Sequence, residues 1–277
     1  MGYVPANQQP NLASYLEGRL AAGRLVFSRE EAQSALGISR GAFLDAAEKL
    51  QKRGNLLNLR QGFYVIVPPQ QLKFGSPPPP SVIDDLMRHR NRRYYVGLLK
   101  AAELHGASHQ AVMEFQVVTD RQMRDVQAGR SKIAFYFRKD MPAIASGIEE
   151  RKTDTGKMKI SSIELTLLDI LRYPQASAGL DNILTVFLDL GAKLNPENMA
   201  ALSHTFERSV VQRAGYLLDL SGFADHAQTL HELTQGSQMP WVELDPSLSS
   251  KPDFAPVVQA RDERWHVLVR HIPERDE

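Results

Sequence analysis

The chain contains no cysteine, so disulfides, thiolate metal cages and cysteine nucleophiles are excluded together. It also lacks any run of about 18 uninterrupted apolar residues, the length that a membrane-spanning helix requires. The opening MGYVPANQQP has neither the basic start nor the apolar stretch of a secretory signal. Its Met-Gly start has Ala6 where a myristoylation signal carries Ser or Thr. The expectation is a cytoplasmic protein without membrane attachment. Phosphate-cradling Gly-x-x-x-x-Gly-Lys, dinucleotide-binding and Gly-x-Ser-x-Gly patterns are missing too, which removes the commonest nucleotide and acyl-transfer chemistries.

What is present is a 277-residue chain with ordinary globular composition, 43% hydrophobic and 23% charged. At roughly 100–200 residues per domain, this length points to two domains. The net charge of +1 conceals an asymmetry: residues 1–161 carry 24 Lys and Arg against 15 Asp and Glu, and residues 162–277 carry 9 against 17. A basic first part suits a polyanion such as DNA, and an acidic second part suits a basic protein.

Helical periodicity starts after Asn11, with Leu12, Tyr15, Leu16 and Leu20 on one face and Gly23 as the stop. Ser28-Arg29-Glu30-Glu31 has the form of a capping box and predicts a short second helix to Leu36. Gly37-Ile38-Ser39 predicts a turn with a new N-cap, and Phe43, Ala47 and Leu50 give a third helix its apolar face, ending near Arg53-Gly54. Leu56, Leu57 and Leu59, the turn Arg60-Gln61-Gly62, and Phe63 to Val67 then predict a hairpin. Three helices and a hairpin predict a winged helix-turn-helix, a DNA-reading unit over residues 1–76.

Pro68, Pro69 and the run Pro77 to Pro80 predict a stiff, extended linker near Ser76. Beyond it, over residues 77–277, helices are expected for Ser81 to Arg90 and Tyr94 to Leu104, and strands for Met113 to Thr119, Ile133 to Arg138 and Lys157 to Ile160. Helices follow at Ser162 to Leu171, Leu180 to Leu190, Pro196 to His204, Glu207 to Leu220 and His226 to Leu233, with a strand at Trp265 to Val269. The stretch Gly236 to Lys251 is expected to be irregular. The fold class is therefore α+β, a winged helix-turn-helix followed by a mixed domain with a small sheet and a helical bundle.

A reading helix enters the major groove by its start and its outward side, so small, polar or basic residues belong there. Ser39, Arg40 and Gly41 fit, Arg40 as a guanine or phosphate ligand and Ser39 as cap and phosphate donor at once. Lys49, Lys52, Arg29, Arg60 and Gln61 are candidate phosphate contacts, the last two at the hairpin tip. Asp45 and Glu48 oppose phosphate on the same helix. Arg88, Arg90, Arg92 and Arg93 form a second basic cluster that could extend the nucleic-acid surface, and Arg121, Arg124, Arg130, Lys132, Arg138 and Lys139 continue the charge. Arg208 and Arg213 lie among apolar residues and are expected to form structural ion pairs.

Catalytic readings fare poorly. Gly75-Ser76 with Asp84-Asp85 superficially matches a nucleotidyltransferase pattern, but four prolines intervene and adjacent carboxylates on a helix diverge by about 100°. His105 and His109 are four apart with Gly106 between them, which makes a poor metal pair. Asp120, Glu114 and Lys132 could suggest a nuclease-like cluster, yet such residues are common at strand ends. The expectation is a protein that is not an enzyme and holds neither metal nor cofactor.

From Tyr94 the chain reads YYVGLLKAAELHGASHQ, then MEFQVVTDR, SSIELTLLDILRYP and ERSVVQRAGYLLDLSG. This order, behind a predicted winged helix, resembles the AbiEi antitoxins of abortive-infection, type IV toxin–antitoxin systems, from about Asn11 to about Gly222. The resemblance implies a transcriptional autorepressor whose winged helix binds inverted repeats in its own promoter. It also implies a C-terminal domain that neutralises a nucleotidyltransferase-like toxin encoded by a neighbouring gene. DNA binding would then fall on Ser39, Arg40 and the wing at Arg60, with Asp45 as a departure, and no toxin-contact residue is assigned. The alternative is a winged-helix regulator that responds to a small ligand and has no toxin partner.

Overall fold

The computed structural model describes residues 11–107, 113–234, 239–247 and 256–275. The first unit runs α1 (Leu12–Ala21), β1 (Val26–Ser28), α2 (Arg29–Leu36), α3 (Arg40–Lys52), β2 (Leu56–Arg60) and β3 (Phe63–Ile66). Each helix starts where its cap says it should. The Asn11 side chain accepts from Ser14 N at 3.0 Å. Ser28 and Glu31 close the expected capping box, Glu31 N to Ser28 Oγ at 3.0 Å and Ser28 N to Glu31 Oε2 at 2.6 Å. Gly37 ends α2 in the left-handed region at φ 64°, a conformation that favours glycine, and Ser39 Oγ then accepts from Ala42 N at 3.3 Å to start α3.

The strands form an antiparallel sheet in the order β1-β3-β2. Because side chains alternate along a strand, this sheet has two apolar faces. Phe27, Leu56, Tyr64 and Ile66 face the three helices and meet Leu12, Leu16, Phe43 and Ala47. Phe27 stacks on Tyr64 at 5.6 Å between centroids, and Phe43 meets Tyr64 edge-on at 5.1 Å. Val26, Leu59, Phe63 and Val65 face the other way, into a core shared with the remainder of the chain.

That remainder begins with α4 (Ile83–His89), β4 (Tyr94–Val96), α5 (Leu98–Leu104), β5 (Glu114–Thr119), β6 (Val126–Ala128), β7 (Ser131–Phe137), β8 (Ile148–Thr153) and β9 (Gly156–Ser161). The six strands form one mixed sheet, ordered β6-β7-β5-β4-β9-β8. The helices α6 (Ile163–Arg172), α7 (Leu180–Leu190), α8 (Pro196–Ser203), α9 (Arg208–Leu220) and α10 (Ala224–Thr234) cover one of its faces. On the other face, Tyr94, Val96, Phe115, Val117, Ile133 and Ile160 pack with Ile83, Leu86 and Met87 of α4 and with the outer face of the first sheet. A last sheet of β10 (Val242–Glu243), β11 (Ala260–Asp262) and β12 (Val267–Val269), ordered β10-β12-β11, closes over α9. The fold is mixed α+β.

Four expectations change. Tyr94 to Val96 is not the start of a helix; it is a strand paired with Thr119 to Val117, and the helix begins only after Gly97. Two aromatics and a valine suit a strand buried on both faces better than a helix turn. The sheet is larger than expected because the charged strand Ile148–Thr153 and the short strand Val126–Ala128 join it. The prolines do not run extended throughout: Pro79–Ser81 closes a 3-10 turn, which the fixed proline φ permits. Finally, within the stretch expected to be irregular, Val242–Glu243 pairs with β12; residues 235–238 and 248–255 lie outside the described residues.

The segment before α4 does not hang free. Ser76, Pro77 and Pro79 are buried, and Arg130 N donates to Phe74 O at 2.9 Å.

Candidate functional site

The start of α3 projects outward from the first unit. Phe43 and Ala47 anchor the helix in the core, so Ser39, Arg40 and Gly41 stand exposed at its N-terminus. Among the described residues nothing engages the Arg40 guanidinium, and the same holds for the Lys49 ammonium one face further along. Ser39 Oγ is an acceptor for the helix and keeps its hydroxyl hydrogen for an outside acceptor. Lys52 is less available, because its ammonium lies 2.6 Å from Glu48 Oε1, which holds the Glu48 carboxyl below the usual range. Asp45 is exposed on the same side.

The other expected contacts are placed differently. Arg29 pairs with Glu30 at 2.6 Å, and its backbone N–H donates to Gly62 O at 2.9 Å, tying α2 to the hairpin turn. Arg60 turns away from α3: its Nη2 donates to the carbonyl of Arg124, and its guanidinium carbon lies 6.0 Å from the Phe135 ring centroid. Burial and the neighbouring Arg90 and Arg124 cations lower its pKa, while Asp125 supports its charge. Arg60, expected as a phosphate contact at the hairpin tip, instead has its partners across the junction in the second part of the chain. Gln61 remains exposed at the tip.

Of the second basic cluster, Arg88 is held by Asp84 and lies 3.5 Å from Asp85. Arg92 donates to Asn91 O at 3.2 Å. Arg90 and Arg93 are exposed, and Arg90 stands near enough to Arg60 to weigh on its charge. Arg138, counted by sequence with the surface charge, is fully buried.

Arg138 belongs to a buried triad that sequence reading missed. Its Nη1 lies 3.0 Å from Asp169 Oδ1, Tyr95 Oη donates to Asp169 Oδ2 at 2.6 Å, and Phe206 covers the guanidinium at 4.3 Å. Burial pushes the Asp169 carboxyl up to about 6, while Arg138 and then the Tyr95 hydroxyl act to lower it. The only sequence signal was an aspartate inside the otherwise apolar run LTLLDIL.

The block ERSVVQRAGYLLDLSG is also explained by packing. Gln212 Nε2 donates to Trp265 O at 2.9 Å, Arg213 Nε to Glu243 O at 2.8 Å, and Trp265 Nε1 to Asp219 Oδ2 at 2.7 Å. Arg213 thus serves the structure through a carbonyl rather than an ion pair. Of the candidate catalytic residues, Glu114 and Lys132 form an ion pair at 2.6 Å, and Asp84 accepts from Tyr94 Oη at 2.9 Å. His105 donates through Nε2 to Ser161 O at 2.7 Å; His109 lies outside the described residues. Among the described residues no helix is long and apolar enough to cross a membrane.

A cleft of about 640 Å³ separates the first unit from the second, lined by Arg19, Arg24 and Glu31 on one side and by Asp85, Arg88 and Lys157 on the other.

The second unit is a sheet backed by a buried helical bundle, with Asp169, Gln212 and Asp219 bonded internally. Residues 95–220 match the family model of the AbiEi antitoxin C-terminal domain, which supports an AbiEi-family antitoxin. No curated protein matches it. The crystal structure of the RV2827C protein from Mycobacterium tuberculosis is similar with a TM-score of 0.70 and 18% identity, over 93% of this chain and 90% of that one. At that identity the likeness is one of fold.

Proposed function

We propose that this chain is an antitoxin and also a non-enzymatic, cytoplasmic autorepressor, whose first unit is a winged helix-turn-helix that reads inverted repeats in its own promoter. The observation that carries this reading is the exposed start of α3, where Ser39, Arg40 and Gly41 are presented and nothing among the described residues engages the Arg40 cation. Arg40 reads a guanine edge or a phosphate, Lys49 and Lys52 bind phosphate, and Gln61 touches the backbone nearby. Arg90 and Arg93 are candidate further contacts. The second unit neutralises a nucleotidyltransferase-like toxin encoded next to it, and the boundary between the two roles falls near Ser76.

Two assays test this. The full chain should shift its promoter DNA, with an affinity that falls steeply with salt. Co-expression should rescue cells from the product of the adjacent gene. Absence of a shift at low salt removes the repressor, and failure of rescue by every neighbouring gene product removes the toxin.

The cleft between the units favours a second reading, a regulator switched by a small ligand seated there. A metabolite that raises the Tm of the free chain, where no partner protein does, would favour it.

A further inference from the structure

We infer that the hairpin β2–β3 is a clamp that fixes α3 to the second unit, with Arg60 as a positioning residue rather than a phosphate ligand. This rests on the DNA-reading proposal for its consequence, but not for its geometry.

Three observations converge. The outer face of the hairpin, Leu59, Phe63 and Val65, shares one buried cluster with Ile83, Leu86 and Met87 of α4 and with Phe115 and Ile133 of the six-stranded sheet. The tip is fastened as well: Phe63 lies 5.2 Å from the His89 ring, and Gly62 O accepts from Arg29 N at 2.9 Å. Arg60 completes the seal, its guanidinium donating to the Arg124 carbonyl beside Phe135, with Nε buried. A guanidinium so held has used a donor and part of its hydration on the protein, and reaching a phosphate would mean breaking that contact. The hairpin therefore orients α3, and the groove is read by α3 without an arginine from the wing.

Counterion release separates a clamp from a contact. Each phosphate ligand removed lowers the slope of log K against log salt by about 0.9. With the full chain and its promoter DNA, Arg40→Ala should flatten that slope by about one. Arg60→Ala should leave the slope unchanged and weaken binding a few-fold. Phe135→Ala, which removes no charge, should reproduce the Arg60→Ala effect, and the two should not add. Arg60→Lys should fail to rescue, since an ammonium keeps the charge but not the planar, many-donor guanidinium that reaches the Arg124 carbonyl. Without DNA, amide exchange in β2 and β3 should quicken in Arg60→Ala and Phe135→Ala alike. A flattened slope in Arg60→Ala, rescue by lysine, or unchanged exchange would overturn the clamp. Lack of any promoter binding by the unaltered chain would overturn the reading function instead, leaving the exchange experiment to decide the clamp.

Discussion

Gly129 lies against the carbonyl of Phe74 so closely that a Cβ on it would stand 2.1 Å from that oxygen and 2.7 Å from the carbonyl carbon of Gly75. Its φ of 59° adds a second reason for glycine. The turn between β6 and β7 is in this way pressed onto the segment that joins the two units. Gly129→Ala must push backbone from backbone, and we expect a loss of about 2–4 kcal/mol from overpacking and the left-handed φ together. Urea unfolding of the full chain measures it, and a variant as stable as the parent would contradict the close approach.

The triad around Asp169 makes stability depend on pH. The folded carboxyl holds its proton up to about 6, above its ordinary value, so between about pH 4 and 6 the unfolded chain binds fewer protons than the folded one. Stability from this group is thus present below that window and is lost as pH rises through it. Asp169→Asn, which cannot ionise, should lose this part of the pH dependence. Arg138→Met removes the largest influence that lowers the Asp169 pKa and should move the window upward, at a cost of about 3–5 kcal/mol at neutral pH for the stranded charge. Urea midpoints from pH 4 to 8 for the three proteins check both signs.

Gly215 faces the ring of Trp265, and a Cβ there would lie 2.2 Å from Trp265 Cη2. Gly215→Ala should expel the indole and loosen β10 to β12 from α9, destabilising by about 1–3 kcal/mol. In a Trp241→Phe background the fluorescence reports Trp265 alone, since the chain has two tryptophans. A red shift is expected; an unchanged spectrum would count against the fit.

On DNA, Arg40→Ala should weaken operator binding by about ten-fold or more, the worth of a good base or phosphate contact. Arg208→Ala, on the far bundle, should have little effect. Asp45→Asn removes a like charge from the reading side and should strengthen binding. Titrations at two salt concentrations check all three. An unaltered affinity in Arg40→Ala would argue against this docking.

Much of the first unit was readable because its instructions are local. Asn11, Ser28 with Glu31, and Ser39 are caps whose partners sit three residues away, and the hairpin turn carries its own glycine. The span Leu180–Leu190 was likewise legible from periodicity. Strand Ile148–Thr153 was not, since IEERKT hides its pleat under exposed charge at a sheet edge, and only pairing with Gly156–Ser161 defines it. The exposed start of α3 follows from spacing around Phe43 and Ala47. The fate of Arg60 does not, because its partner lies 64 residues away in sequence, and that of Arg138 depends on Asp169, 31 residues away.

The core that runs from Val26 to Ile160 without regard for the proline segment has a practical outcome. A cut at Ser76, by protease or by subcloning, would leave two fragments, each wearing a raw oily face that water penalises. Neither piece is expected to stay in solution alone, and the intact polypeptide should melt in a single step, so that whatever grips the second half feels the first.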